Sequence, residues 1–199
     1  MARMKSVVLA GAVAAGVLAV AACSSGGAST GPGTGATASS SPSTVSLPSW
    51  ASALGSSVTV TAPQTVSPGN GTPGAVVTGL IRAFNSGKFS QSCGYDEPKG
   101  QAQCKAEAAE ITASDIPTIK HFALGYVAVD GSQAVVGITG TICEPTSGSK
   151  CSTNTDAAAV FSSTKTFSDL WTNSLKDTSS YSLTPCVKVG GKWYIYSTS

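Results

Sequence analysis

Two long, apolar-rich runs, "IKHFALGYVAV" (119–129) and "SQAVVGITGTIC" (132–143), stand either side of Asp130-Gly131. Asp-Gly between alternating runs is a strong hairpin signal, because both residues tolerate the positive φ of a type I′ turn. A hairpin this long is not stable alone and needs further strands or helices against it. Three more runs can supply strands: "DAAAVFSS" (156–163), "YSLTPCVKV" (181–189) and "KWYIYSTS" (192–199), the last two joined by Gly190-Gly191. Between them, Phe167, Leu170, Trp171 and Leu175 recur on one helical face, which predicts a short helix or ordered loop interrupting the sheet.

Taking Asp130-Gly131 as a two-residue turn, strict alternation places His121 on a face with Ala123, Gly125, Val127, Ala134, Val136 and Ile138, opposite Gly140. The other face carries Phe122, Leu124, Tyr126, Val135 and Thr139. Both faces are largely apolar, so both should be covered. The small residues around His121 either let a helix dock closely or leave a pocket.

Helices are expected ahead of the long strands. Thr72 is placed to cap a helix with Pro73 at its first position, and Val76, Val77, Leu80, Ile81 and Phe84 form its apolar face. Asn85, Ser86 and Gly87 end it. A weaker helix runs through "PKGQAQCKAEAAEI" (98–111), with Cys104 inside it and Cys93 in the connection before it.

The amino-terminal third has a different character. Arg3 and Lys5 precede an uncharged apolar run, Val7 to Ala22, the pattern of a secretory signal. Its length is below the roughly 20 residues a spanning helix requires. Val20, Ala21, Ala22 and Cys23 resemble the lipobox of bacterial lipoproteins, in which the cysteine is acylated and becomes the mature amino terminus. An ordinary cleaved signal with a chance cysteine is the other reading. Residues 1–22 are thus read as a lipoprotein signal peptide and 23–47 as a flexible Ser/Thr/Gly/Pro-rich tether, without charge and with almost nothing to bury. Such a coil spans about 25 to 30 Å root-mean-square, enough to lift a domain off a membrane surface. Residues 48–71, with Trp50, "SVTVT" and several prolines, read as a partly ordered connection, and 72–199 as the α+β domain.

Removing the signal takes away Arg3 and Lys5, so the 12 basic residues of the chain fall to equal its 10 acidic ones. A neutral mature chain lacks the electrostatic footprint of a nucleic-acid binder.

The helices-then-strands order, the closing "VGGKWYIY" and the "FSDLW" segment resemble the nuclear-transport-factor-two-like (cystatin-like) α+β cone, as in small tethered lipoproteins of high-GC Gram-positive (actinobacterial) bacteria. The resemblance covers residues 72–199. It implies N-terminal helices packed across a curved antiparallel sheet, with a cavity between them that serves enzymes, transport factors and dimer modules alike. Fold therefore does not give function.

An exported chain meets an oxidising setting, where paired cysteines form disulfides. With Cys23 acylated, five of the six cysteines remain, and spacing has to choose among their pairings. Cys143 and Cys151 flank "EPTSGSK" between two candidate strands; Cys93 and Cys104 flank the connection between the helices. Each bridge would close a short loop and add roughly 2 to 3 kcal/mol. Cys186 is left as a free thiol. Opposite Ile195 and on a face with Trp193, it reads as buried and inert rather than nucleophilic. One histidine and no Cys-x-x-Cys pair give no metal site, and no phosphate or dinucleotide motif calls for a cofactor.

The expected function is that of a membrane-anchored, extracytoplasmic lipoprotein on the outer face of the cell membrane. Its domain is a non-catalytic module binding an envelope partner or a small apolar ligand. The alternative is a cone-type hydrolase or isomerase using His121 as acid-base group, with Asp169, Tyr126 or Asp115 as partners. Asp130 is already explained by the turn, and no motif fixes any of these groups beside His121.

Overall fold

The two long runs form the centre of a six-stranded antiparallel sheet in a computed structural model that describes residues 46–112, 116–143, 151–154, 157–177 and 182–197. The hairpin consists of β2 (Thr118–Asp130) and β3 (Gln133–Cys143). Asp130 pairs with Gln133, so the central turn residues are Gly131 and Ser132. Of these only Gly131 has positive φ, at 57°. That is the φ pattern of a type II′ turn with glycine first, not the Asp130-Gly131 type I′ turn expected from the dipeptide.

β2 then departs from strict alternation twice. Leu124 pairs with Ile138 and Val127 with Val136; further out, Lys120 pairs with Thr141 and Ala123 with Thr139. Each interval sets three residues of β2 against two of β3, so one extra residue is accommodated each time, as in a β-bulge. An extra residue reverses the side on which every following side chain emerges. Phe122 and Leu124 therefore pack with Val127 and Val136, not with Tyr126 and Val135 as uninterrupted alternation predicts.

The remaining strands extend this hairpin. β1 (Thr59–Thr61) pairs with the turn-proximal end of β2 and forms one edge. β5 (Leu183–Val189) pairs with β3 along Gln133–Gly137, and β6 (Lys192–Ile195) closes the other edge. Gly190 and Gly191 both have positive φ in the tight turn between them, as a type I′ hairpin requires. The short β4 (Cys151–Asn154) pairs with the far end of β3, where Cys143 is bonded to Cys151.

Helices cover both faces. α1 (Pro73–Asn85) begins as the sequence indicates, with the Thr72 hydroxyl accepting from the Ala75 amide at 3.2 Å and Pro73 in the first turn. Its Val76, Val77 and Ile81 pack on Leu124, Val127, Val136 and Trp193. α2 (Phe89–Ser92) and α3 (Gln101–Ala108) follow, joined by a disulfide between Cys93 and Cys104. On the opposite face lie α4 (Ala157–Ser163), α5 (Phe167–Lys176) and a 3-10 helix at Ser49–Leu54. They bury Leu54, Phe161, Phe167 and Leu170 against Ala128 and Val135.

The run at 156–163, expected as a strand, is thus helical from Ala157. Three consecutive alanines favour helix, and Ala157 and Phe161, four apart, bury one face. The order is also not simply helices followed by strands, since β1 precedes α1 and two helices intervene between β4 and β5. Residues 48–71 contribute the 3-10 helix and β1, with Ala51, Leu54 and Val60 buried. Among the described residues no helix is long and apolar enough to cross a membrane.

Candidate functional site

The space between α1 and β2 is partly open. Residues 62–72 run as a strap from the end of β1 to the cap of α1. Asn70 ties the strap to β6 twice: its side-chain amide donates to the Trp193 carbonyl at 2.9 Å, and its carbonyl accepts from the Trp193 amide at 2.9 Å. Nearby, the Gly69 amide donates to the Ala75 carbonyl at 3.2 Å. Gly74 permits the close approach, because a Cβ there would stand 2.9 Å from Leu124 Cδ1 and 3.6 Å from Val66 Cγ2.

Two cavities result. One, of about 390 Å³, is bounded by Pro63–Val66 of the strap, Thr78 and Arg82 of α1, and Phe122–Leu124 of β2. The other, of about 330 Å³, runs from Gly74 past Val127 and Val129 to Trp193. Gln64, Val66 and Leu124 line both. The inner bulge of β2, between Leu124 and Val127, is what turns Phe122 and Leu124 toward this side. A hollow of about 620 Å³ elsewhere is lined wholly by residues between Leu47 and Val60, none of them charged.

Two polar groups of α1 border the first cavity. Thr78 is 3% exposed, and its hydroxyl has no hydrogen-bond partner among the described residues. Arg82, one turn later on the same side of the helix, is exposed and makes no ion pair with a described carboxylate.

The residues singled out from the sequence lie elsewhere and are not brought together. His121 is exposed in the outer bulge with φ of 52°, the only non-glycine residue with positive φ among the described residues. Asp169 accepts from the Thr166 hydroxyl at 2.8 Å while its amide donates back at 3.1 Å, a cap on α5. Tyr126 packs edge-on against Trp50, with ring centroids 4.9 Å apart, on the α5 side of the sheet. Asp115 and Cys23 lie outside the described residues. Cys186 pairs with Ile195, is fully buried, and burial pushes its thiol far above the ordinary range.

A second polar cluster went unread in the sequence. Burial, and secondarily the charge of Glu97, push the Asp96 carboxyl up to about 7. Asp96 bridges to Ile195, Glu97 accepts from the Ser197 amide at 3.1 Å, and Lys99 lies 3.6 Å from Glu97. The Asp96 carboxylate is within 4.8 Å of the sulfurs of Cys93 and Cys104, a donor set in size. Those sulfurs are bonded to each other, which leaves one carboxylate for any cation.

The only sequence signal for Thr78 was a hydroxyl within an otherwise apolar helix, four residues from an arginine. Comparison with protein-family models, with curated proteins and with solved structures finds no match to this chain.

Proposed function

We propose that the chain is a lipid-anchored extracytoplasmic binding module that holds a small, largely apolar ligand between α1, β2 and the 62–72 strap. One observation carries this reading: two adjoining cavities between α1, β2 and the strap share Val66 and Leu124 as walls. Volumes of about 300 Å³ and more, mainly apolar with a few polar groups, are those of small-molecule sites. The likeness to the nuclear-transport-factor-two-like cone supports it too, since there the space between helix and sheet is where function is carried. A protein partner has less support, because Leu47 and Val189 are the exposed large apolar side chains among the described residues. The separation of His121, Asp169 and Tyr126 gives the catalytic alternative no geometric support.

The address rests on residues 1–23. Metabolic labelling with an alkyne-tagged fatty acid should mark the wild-type protein and not Cys23→Ser. Label retained by the variant, or absent from the wild type, would overturn the anchor. For the cavity, native mass spectrometry of the unacylated mature chain (residues 23–199, Cys23→Ser) should show adducts with decanol or decanoate. Neither adduct appearing would sink the ligand-binding reading.

A further inference from the structure

We infer that the ligand is an amphiphilic monocarboxylate whose head group is held by Arg82 and Thr78, an inference that rests on the binding reading above. Hydroxyls on helices usually bond back to a carbonyl three or four residues earlier. This chain follows that habit at Ser86 on Arg82, Ser162 on Ala159 and Ser174 on Trp171. Thr78 breaks it: its hydroxyl is buried and has no partner among the described residues. A buried hydroxyl without a partner calls for a group from outside the fold.

Arg82 fixes the sign of that group. Its guanidinium is always charged, and its planar fork matches a carboxylate in a bidentate arrangement. Its position in the last turn of α1 would suit a cation in any case. The helix end does not explain the buried hydroxyl four residues back that lines the same cavity. One guanidinium and one hydroxyl balance a single negative charge, which fits a monocarboxylate better than a doubly charged phosphate. Phe122 and Leu124 give the first cavity an apolar wall, and the second cavity, beyond Leu124, extends toward Trp193. An apolar tail laid along Phe122 and Leu124 within the first cavity leaves the polar head at the α1 side.

Calorimetric titration of the unacylated mature chain with decanoate and with decanol, which share a tail and differ in charge, tests the assignment. Decanoate should bind at least tenfold more tightly than decanol. Arg82→Met should abolish that preference, decanoate losing more affinity than decanol. Thr78→Val, which keeps the shape and removes the hydroxyl, should weaken decanoate several-fold and raise the melting temperature of the ligand-free protein. Equal affinity for the two probes, or a preference that survives Arg82→Met, would overturn the head-group assignment and leave the apolar site standing. Binding of neither probe would overturn both.

Discussion

Leu124 and Val127 lie three residues apart on one strand and pack into the same core cluster. An odd separation in a regular strand sends two side chains to opposite faces. Here the extra residue between the pairs Leu124–Ile138 and Val127–Val136 restores them to one face. The consequence is local and functional at once. Leu124, 6% exposed, becomes the wall between two cavities instead of a filler of the opposite layer.

Leu124→Ala should therefore destabilise the fold and join the cavities. Truncating a buried leucine costs about 2 to 5 kcal/mol, with the high end reached where the site cannot collapse. The strap is fixed by Asn70 on Trp193, so little collapse is expected. The urea midpoint should fall accordingly, and decanol should bind more tightly to the enlarged space. A loss below about 1 kcal/mol would mean that Leu124 is not a structural wall.

The bulges also explain where sequence reading stopped. The α1 cap at Thr72, the Gly190-Gly191 turn and the pairing of Cys186 with Ile195 each depend on neighbours close in the chain, and local rules reached them. The face on which Phe122 and Leu124 emerge depends on one extra residue, between Leu124 and Val127, accommodated across a strand pair. The outer bulge carries no glycine on β2, its residue of positive φ being His121, whereas the inner one holds Gly125, an isolated strand glycine of the kind that marks a bulge. The run at 156–163 failed for another reason, since short apolar stretches do not distinguish helix from strand by period alone. The strap over the cavities could not be read at all, because its course is set by Asn70 reaching a residue 123 positions away.

His121 in turn supplies a prediction. A non-glycine residue at φ of 52° is held against its preference. His121→Gly should raise stability by about 0.5 to 1 kcal/mol, and His121→Val should lower it by more, since a β-branched side chain tolerates that region least. Chemical denaturation of the two variants checks the order. Destabilisation by glycine would show that the imidazole itself contributes to packing or binding.

Asp96 makes stability depend on pH in an unusual direction for an acid. Its carboxyl is raised from 3.8 to about 7, by burial first and by Glu97 second. Between those values the folded chain holds a proton that the unfolded chain has released, so stability falls as pH rises. The loss should begin near pH 4, run through pH 7 and then level off. Asp96→Asn imitates the protonated form and should remove this component. The melting-temperature difference between variant and wild type should thus grow in the variant's favour from pH 5 to pH 8. A difference independent of pH would show that Asp96 is ionised throughout.

Cys186 decides how the thiols count. It has no exposed surface, sits among Val136, Ile138 and Trp193, and burial raises its thiol far above the ordinary range. A thiol reacts as thiolate, so this one should be silent to iodoacetamide while the fold persists. The unacylated mature chain with Cys23→Ser should take up no label when native and one label when denatured without reductant, at Cys186. Reduction should expose Cys93, Cys104, Cys143 and Cys151 as well, because these are bonded in two pairs. Rapid labelling of Cys186 in the native chain would show that the core around Trp193 opens, and a bridge between Cys23 and Cys186 would overturn the proposed anchor and with it the proposed membrane address.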